Sequence, residues 1–289
     1  MTTATADRSL QPVYAIGGVG GSGTRLVAEL LAQLGYDPGK PLNAERDNLA
    51  FTLLFKRLDM LEVGDADFAD CLQVFLAGSF GEAAPVNYRT IIEQAQQAHP
   101  PVWSQPVVEY LMTACLAASD TQAATTDRKP IGWKEPNTHL FIARLYQHLP
   151  GLRYIHVIRN GLDMAYSTNQ RQALLWGRHL LGYGCDTPDP VYLLKYWCEA
   201  NKRMAYFRDT WADTRPVFWL DYDALVSNPQ PVLTALLDFL AITPSQSLLD
   251  ELSGRITCGN RHPRQHDVSI FAAEELACLE QLGYSPCWS

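Results

Sequence analysis

The stretch VYAIGGVGGSGTRL, residues 13–26, sets the reading of the whole chain. Val13-Tyr14-Ala15-Ile16 is apolar, and residues 13–17 read as a short buried strand. Residues 24–34, TRLVAELLAQL, place Leu26, Val27, Leu30, Leu31 and Leu34 on one helical face. Gly35 then suits the C-cap. Between strand and helix lie only glycine, valine and serine, with Thr24 opening the helix. Backbone N–H groups at a glycine turn and a helix N-terminus form an anion site without side-chain charge, and Ser22 and Thr24 add hydroxyl donors. The plainer reading is a tight turn with no ligand. A nucleotide-hydrolysing phosphate loop places Lys and then Ser/Thr after its last glycine. Here Gly23 is followed by Thr24 and Arg25.

Outward from this loop the chain alternates. Residues 43–120 carry helical apolar spacing in "NLAFTLLFKRLDML" and "VVEYLMTACLAA", with "GSFGEAAPVN" and "HPPVWSQP" as breaks. "SDTQAATTDRKP" is a polar connection. Then come a strand at 129–134, a helix at 137–149, and a strand at 152–159 rich in β-branched and aromatic residues. A helix starting at "LDMAYSTNQ", one at 192–211, a strand at 216–222 and a helix at 231–242 follow. Alternation of this kind predicts a parallel sheet covered by helices on both faces. With no low-complexity linker, the expectation is a single domain over 1–289. It has a frayed tail at 1–11 and a mostly helical insertion at 43–125.

Composition narrows the function. The chain has 289 residues, 47% hydrophobic and 19% charged, ordinary for a globular protein. Its net charge of −8 argues against nucleic acid and polyanionic partners. No apolar run approaches the roughly 20 residues of a membrane span. The start shows no signal-peptide pattern, so a cytoplasmic location is expected. Seven scattered cysteines without a CxxC pair read as reduced thiols rather than a zinc site.

A second candidate site lies at "YIHVIRNGLDMAYS". It places Arg159 at a strand end and Ser167 on the helix that follows. Strand ends of open α/β sheets are where ligands bind, and an arginine there can grip a phosphate with two parallel hydrogen bonds. Taken alone, Arg159 also suits an ion pair or a helix cap. Taken together, the two loops suggest a nucleotide with phosphates at two positions.

These stretches resemble the sulfotransferases that use 3′-phosphoadenylyl sulfate (PAPS). Gly21-Ser22-Gly23-Thr24 is similar to their 5′-phosphosulfate loop, a lysine or arginine followed by S-G-T. Arg159 to Asp163, with Ser167, is similar to their 3′-phosphate motif, R-N-P-x-D with a serine eight residues after the arginine. Asp221-Tyr222-Asp223-Ala224-Leu225 resembles their Y-E-D-L segment, whose tyrosine lies near the adenine. The matches occur in family order and span residues 17–229. The resemblance implies a P-loop-like three-layer α/β/α sandwich around a parallel sheet. It implies sulfuryl transfer from PAPS to a hydroxyl or amine, adenosine 3′,5′-bisphosphate as product, and no metal. Gly20, Gly21, Ser22, Gly23, Thr24, Arg25, Arg159, Ser167 and Tyr222 would hold the donor.

Two departures matter. The family's loop cation is replaced by Gly21, so positive charge must come from elsewhere. Lys134 is the favoured source, with Arg25 as auxiliary. Lys134-Glu135-Pro136 looks like the K-D-P segment of the tyrosylprotein branch. The second departure is the base, for the K-x-H histidine of the cytosolic branch is replaced by Pro136. Nearby His139 falls in a helix-like run and reads as structural. Other branches use a carboxylate after the first helix, which here offers Glu45 and Asp47, with Glu45 slightly ahead; both equally suit the first turn of a helix. Arg261 and Arg264 stand where the family has a basic loop over the 3′-phosphate, and could equally be solvated. His262 and His266 make no convincing metal pair.

The acceptor stays open among small molecules, lipids, neutral sugars and peptides, and the oligomeric state is unknown. Phe51, Phe55, Trp103 and Tyr110 are aromatic residues available to line its pocket, although their helical spacing points most of them to the core. Two rivals remain: an NTP-dependent enzyme such as a kinase, and a nucleotide-binding member of the fold without catalysis.

Overall fold

A computed structural model describes residues 12–120, 129–256 and 266–285. In chain order it contains β1 (Val13–Gly18), α1 (Thr24–Gln33), α2 (Leu49–Phe55), α3 (Asp65–Phe80), α4 (Tyr88–Gln97) and α5 (Pro101–Asp120). There follow β2 (Gly132–Lys134), α6 (Ile142–His148), β3 (Leu152–Ile158), α7 (Gly161–Ala165), α8 (Arg171–Leu181) and α9 (Pro190–Thr210). The last elements are β4 (Val217–Asp221), α10 (Tyr222–Ser227), α11 (Pro229–Phe239), α12 (Gln246–Arg255) and α13 (Ala273–Gln281). The strands form one parallel sheet in the order β2-β1-β3-β4. In the β3–β4 pairing His156 lies opposite Trp219 and Ile158 opposite Asp221. The helices flank this sheet in the α/β architecture expected. No described helix is long and apolar enough to cross a membrane.

The chain divides into two compact units, Met1–Ala15 with Leu31–Leu152, and Ile16–Leu30 with Arg153–Ser289. The first, called here the lysine unit, packs α2, α3, α4 and α5 on one another. Phe51 and Phe55, four apart on α2, stack at 4.5 Å, and Phe75 meets Trp133 of β2 at 5.3 Å. Phe51 and Phe55 are therefore core residues rather than pocket lining. The i, i+4 spacing turns both rings to the same buried side. Asn48 starts α2 by accepting the Phe51 N–H at 3.1 Å, and its own N–H donates to the Lys134 carbonyl at 2.8 Å.

The second unit, called here the loop unit, is built on α9. Asp189 caps that helix by accepting from Tyr192 N at 2.8 Å, and Pro190 fills the first position, where no N–H partner is needed. At the sheet, His156 of β3 is fully buried. Asn201 Nδ2 donates to the Trp197 carbonyl at 2.7 Å, so Asn201 Oδ1 faces His156 Nε2 at 2.9 Å. That arrangement selects the neutral ring with its proton on Nε2. Burial lowers the His156 pKa to about 4, against the partial support of the Asn201 bond.

Two local expectations need correction. "HPPVWSQP" is not a break throughout, because α5 starts at Pro101 and contains Pro106. Pro106 falls near the N-terminus, where the lost bond would reach only the exposed Val102. Ser167 is not on a helix, since α7 ends at Ala165. The Ser167 hydroxyl accepts the Asn169 N–H at 3.1 Å, a local bond that competes with continued helix.

Candidate functional site

The loop unit carries the glycine-rich turn. Gly21 and Gly23 have φ of 98° and 93°, a region that side-chain-bearing residues rarely adopt. A Cβ on Gly23 would fall 2.1 Å from the Tyr222 ring, and one on Gly21 would fall 3.2 Å from Met164 Cε. These contacts give a physical reason for the missing loop cation, because any side chain at position 21 is strained. After the turn α1 begins at Thr24 with no acidic residue in its first turn. Its N-terminal N–H groups keep their attraction for an anion. Ser22 is 1% exposed, and its hydroxyl has no hydrogen-bond partner. A buried hydroxyl left unpaired costs about 1–3 kcal/mol, which an anion in the turn would offset.

Arg159 follows β3 directly. Its Nη2 donates to Asp163 Oδ2 at 2.9 Å, and its guanidinium lies over the Tyr222 ring at 5.2 Å. Its Nε is buried and has no partner. Tyr222 therefore touches both motifs, with Gly23 against its ring and Arg159 over it. The Arg159 backbone is fixed separately, since Trp197 Nε1 donates to its carbonyl at 3.1 Å. The Asn160 N–H donates to Asp223 Oδ2 at 2.9 Å, and the Asn160 side chain accepts from Leu162 N at 2.9 Å. Burial raises the Asp223 pKa, with the Asn160 bond and Arg159 opposing.

Several residues here carry no sequence signal. Gln172 accepts the Gly20 N–H at 2.8 Å and donates to the Gly18 carbonyl at 3.3 Å, bracing the turn from α8. His266 Nε2 lies 2.9 Å from Asp163 Oδ1, and its ring stacks on Tyr166 at 4.5 Å. This side chain was read only as half of an unconvincing metal pair. Among the described residues no group of three or more His, Cys, Asp or Glu is arranged to hold a metal. Arg261, Arg264 and His262 lie outside the described residues.

The lysine unit holds Lys134, Glu45 and Asp47 together. Lys134 is 3% exposed. Its Nζ donates to the Glu45 carbonyl at 3.1 Å and pairs closely with Asp47 Oδ1. Asp47 also accepts from Asn43 Nδ2 at 2.8 Å. The backbone turns sharply between them, with Arg46 at φ 61°. Glu45 contributes its carbonyl to Lys134, while its side chain is exposed, as is Arg25 in the loop unit. The neighbouring Glu135 is buried, with its carboxylate bonded to Asn137 N and Nδ2 at 2.6 and 2.7 Å; burial raises its pKa. His139 is buried too, in keeping with a structural role. A cavity of about 580 Å3 in this unit, lined by Arg57, Asp67 and Asn87 among others, contains none of these residues.

The profile of the sulfotransferase family matches residues 12–246. The chain belongs to that family. Among solved structures, the sulfotransferase domain from the curacin biosynthetic pathway aligns at TM-score 0.50 and 16% identity, covering 96% of this chain and 99% of that one. The sulfotransferase domain of the Synechococcus PCC 7002 olefin synthase aligns at TM-score 0.45 and 17% identity, covering 99% of each chain. Retinol dehydratase, in complex with androsterone and the inactive cofactor PAP, aligns at TM-score 0.38 and 16% identity, covering 84% of this chain and 64% of that one. No curated protein sequence matches. At 16% identity the likeness to the curacin-pathway domain speaks for the fold alone. The family match makes this chain a sulfotransferase, and the glycine turn, Arg159 and Lys134 all fall within the matched span.

Proposed function

We propose that this sulfotransferase takes its sulfuryl group from PAPS and passes it to a hydroxyl or amine, releasing adenosine 3′,5′-bisphosphate. The carrying observation is the pair of buried, unpartnered donors, Ser22 Oγ and Arg159 Nε, on two motifs that share Tyr222. Such groups fit a ligand with two separated anionic ends. Gly20, Gly21, Ser22, Gly23 and Thr24 would hold the 5′-phosphosulfate through N–H and hydroxyl groups. Arg159 and Ser167 would hold the 3′-phosphate, joined in this reading by Arg261 and Arg264. Tyr222 would lie near the adenine. When bound, the donor supplies an electrophilic sulfur joined to phosphate through an anhydride oxygen.

The chain's own residues supply charge and proton transfer. Lys134 Nζ provides the positive charge that offsets negative charge developing on the departing phosphate, with Arg25 as auxiliary. The Glu45 carboxylate takes the proton of the acceptor. It is preferred over Asp47 because the Asp47 carboxylate is already engaged by Lys134 and Asn43. The reading assigns no metal, treats the whole chain as one catalytic domain, and leaves the acceptor among small molecules, lipids, neutral sugars and peptides.

Calorimetric titration tests the donor. Adenosine 3′,5′-bisphosphate should bind and ATP–Mg should not; the opposite result sinks the PAPS reading in favour of an NTP-dependent enzyme. Transfer of labelled sulfate in an acceptor screen tests catalysis. Bisphosphate binding with no transfer to any acceptor would make the chain a nucleotide-binding member of the fold.

A further inference from the structure

Cys198 on α9 and Cys278 on α13 are buried free thiols. The two thiols are near enough to shift each other's pKa, and Lys202, one turn beyond Cys198, also lowers that of Cys278. Cys198 Sγ also lies 3.9 Å from the Glu275 carbonyl oxygen. Lys202 is exposed. The Cys198 contact and Lys202 hold the Cys278 thiol below its ordinary pKa, with burial and Glu199 opposing. The Cys278 contact and burial push Cys198 upward. Cys278 is thus biased toward the thiolate relative to its neighbour. That division suits a thiol that is oxidised and a second that resolves it.

The pair stands behind the Arg159 motif. Trp197 and Leu279 are the chain neighbours of the two cysteines, and both press on Gly161. A Cβ on Gly161 would fall 2.8 Å from Leu279 Cδ1 and 2.8 Å from Trp197 Cε3. Trp197 also fixes the Arg159 carbonyl. The turn carrying Arg159 therefore rests on a wall made by α9 and α13, with no slack at Gly161.

We propose that Cys198 and Cys278 form a redox-modification site, closed by a hydroperoxide into a disulfide between α9 and α13, and that closure weakens the anion site at Arg159. The Cys278 thiolate attacks one oxygen of hydrogen peroxide, and the O–O bond breaks. The departing hydroxide is protonated to water, leaving a sulfenic acid on Cys278. The Cys198 sulfur then attacks the Cys278 sulfur, the S–O bond breaks, and a second water leaves with the proton of Cys198. Two thiols and one peroxide give one disulfide and two waters. An S–S bond of about 2.05 Å is much shorter than any non-bonded contact between two thiols, so side chains or helices must move to form it. The effect on Arg159 rests on reading that residue as a donor-phosphate ligand, whereas the disulfide does not.

The test treats the full chain with hydrogen peroxide and maps its peptides by mass spectrometry. A Cys198–Cys278 disulfide should form, reverse with dithiothreitol, and be absent from Cys198→Ser and Cys278→Ser. The oxidised chain should bind adenosine 3′,5′-bisphosphate about fivefold or more weakly than the reduced chain, a coupling typical of linked sites. Cys198→Ser should keep its affinity after peroxide, with Cys198→Ala as the alternative should serine disturb the core. Overoxidation of Cys278 with Cys198 still reduced, or a disulfide elsewhere, overturns the site. A disulfide with unchanged affinity overturns the coupling. If the disulfide forms but the reduced chain binds no bisphosphate, the donor reading and the coupling fall, and the thiol pair stands.

Discussion

The polar groups of the glycine turn with Arg159 and those around Lys134 meet opposite surroundings. Around the glycine turn, Ser22 Oγ and Arg159 Nε are buried with nothing bonded to them. Around Lys134, the ammonium is paired with Asp47 and the Glu45 carbonyl, and Asp47 is bonded again by Asn43. An open set of donors waits for an anion from outside. A closed set leaves a buried cation already satisfied. Under the proposed function, binding would belong to the first region and rate to the second.

The sharpest way to break that contrast is Lys134→Ala. The expected result is a kcat lower by about 100- to 1,000-fold, the loss seen when one transition-state donor is removed. Bisphosphate affinity, read by calorimetry, should hardly change. A large loss of affinity with kcat preserved would reverse the roles of the two regions.

The next effect concerns the scaffold beneath Arg159. His156 is held neutral at a pKa of about 4, whereas the unfolded chain protonates it near 6.5. Because the folded pKa is lowered, this contribution is complete above about pH 6.5 and falls as pH drops toward 4. The loss is about 3 kcal/mol. Thermal melts across that range should show the decline. His156→Gln, which can still donate to Asn201, should flatten this part of the profile; an unchanged slope would assign it to other groups.

Arg159→Ala should weaken bisphosphate binding by about 2 kcal/mol, roughly 30-fold, through lost charge-assisted bonds. An unchanged dissociation constant removes Arg159 from the site. Ser22→Ala is the smallest and most discriminating test. Binding should weaken by about 1 kcal/mol, while the ligand-free chain should melt no lower than the parent, because an unpaired buried hydroxyl has been removed. A lower melting point without weaker binding would make Ser22 purely structural.

The elements most legible in the sequence were those with strong local patterns. The β1–turn–α1 unit follows from an apolar run, glycines and helical spacing, and it forms within a residue or two of expectation. Arg159 at the end of β3 was equally readable. Ser167 was misplaced because a single side-chain bond to Asn169 ends the helix, which no periodicity reports. Pro106 was misread as a break because its cost depends on how near the helix start it falls. The roles of Gln172, Trp197 and His266 leave no local signal. Their roles are set by partners 152, 38 and 103 positions away.

What the sequence determined by itself is the class of fold and the local elements to which the proposed ligand is assigned. Glycine φ freedom, helix N-termini and an arginine at a strand end are local properties, fixed by neighbours within a few residues. What only the tertiary structure decided is which of those groups remain available. Tyr222 closes on Gly23, Met164 crowds Gly21, Asp47 takes Lys134, and Ser22 is left unpaired. Availability depends on long-range packing, because a polar group is open or satisfied only according to what the rest of the chain brings against it.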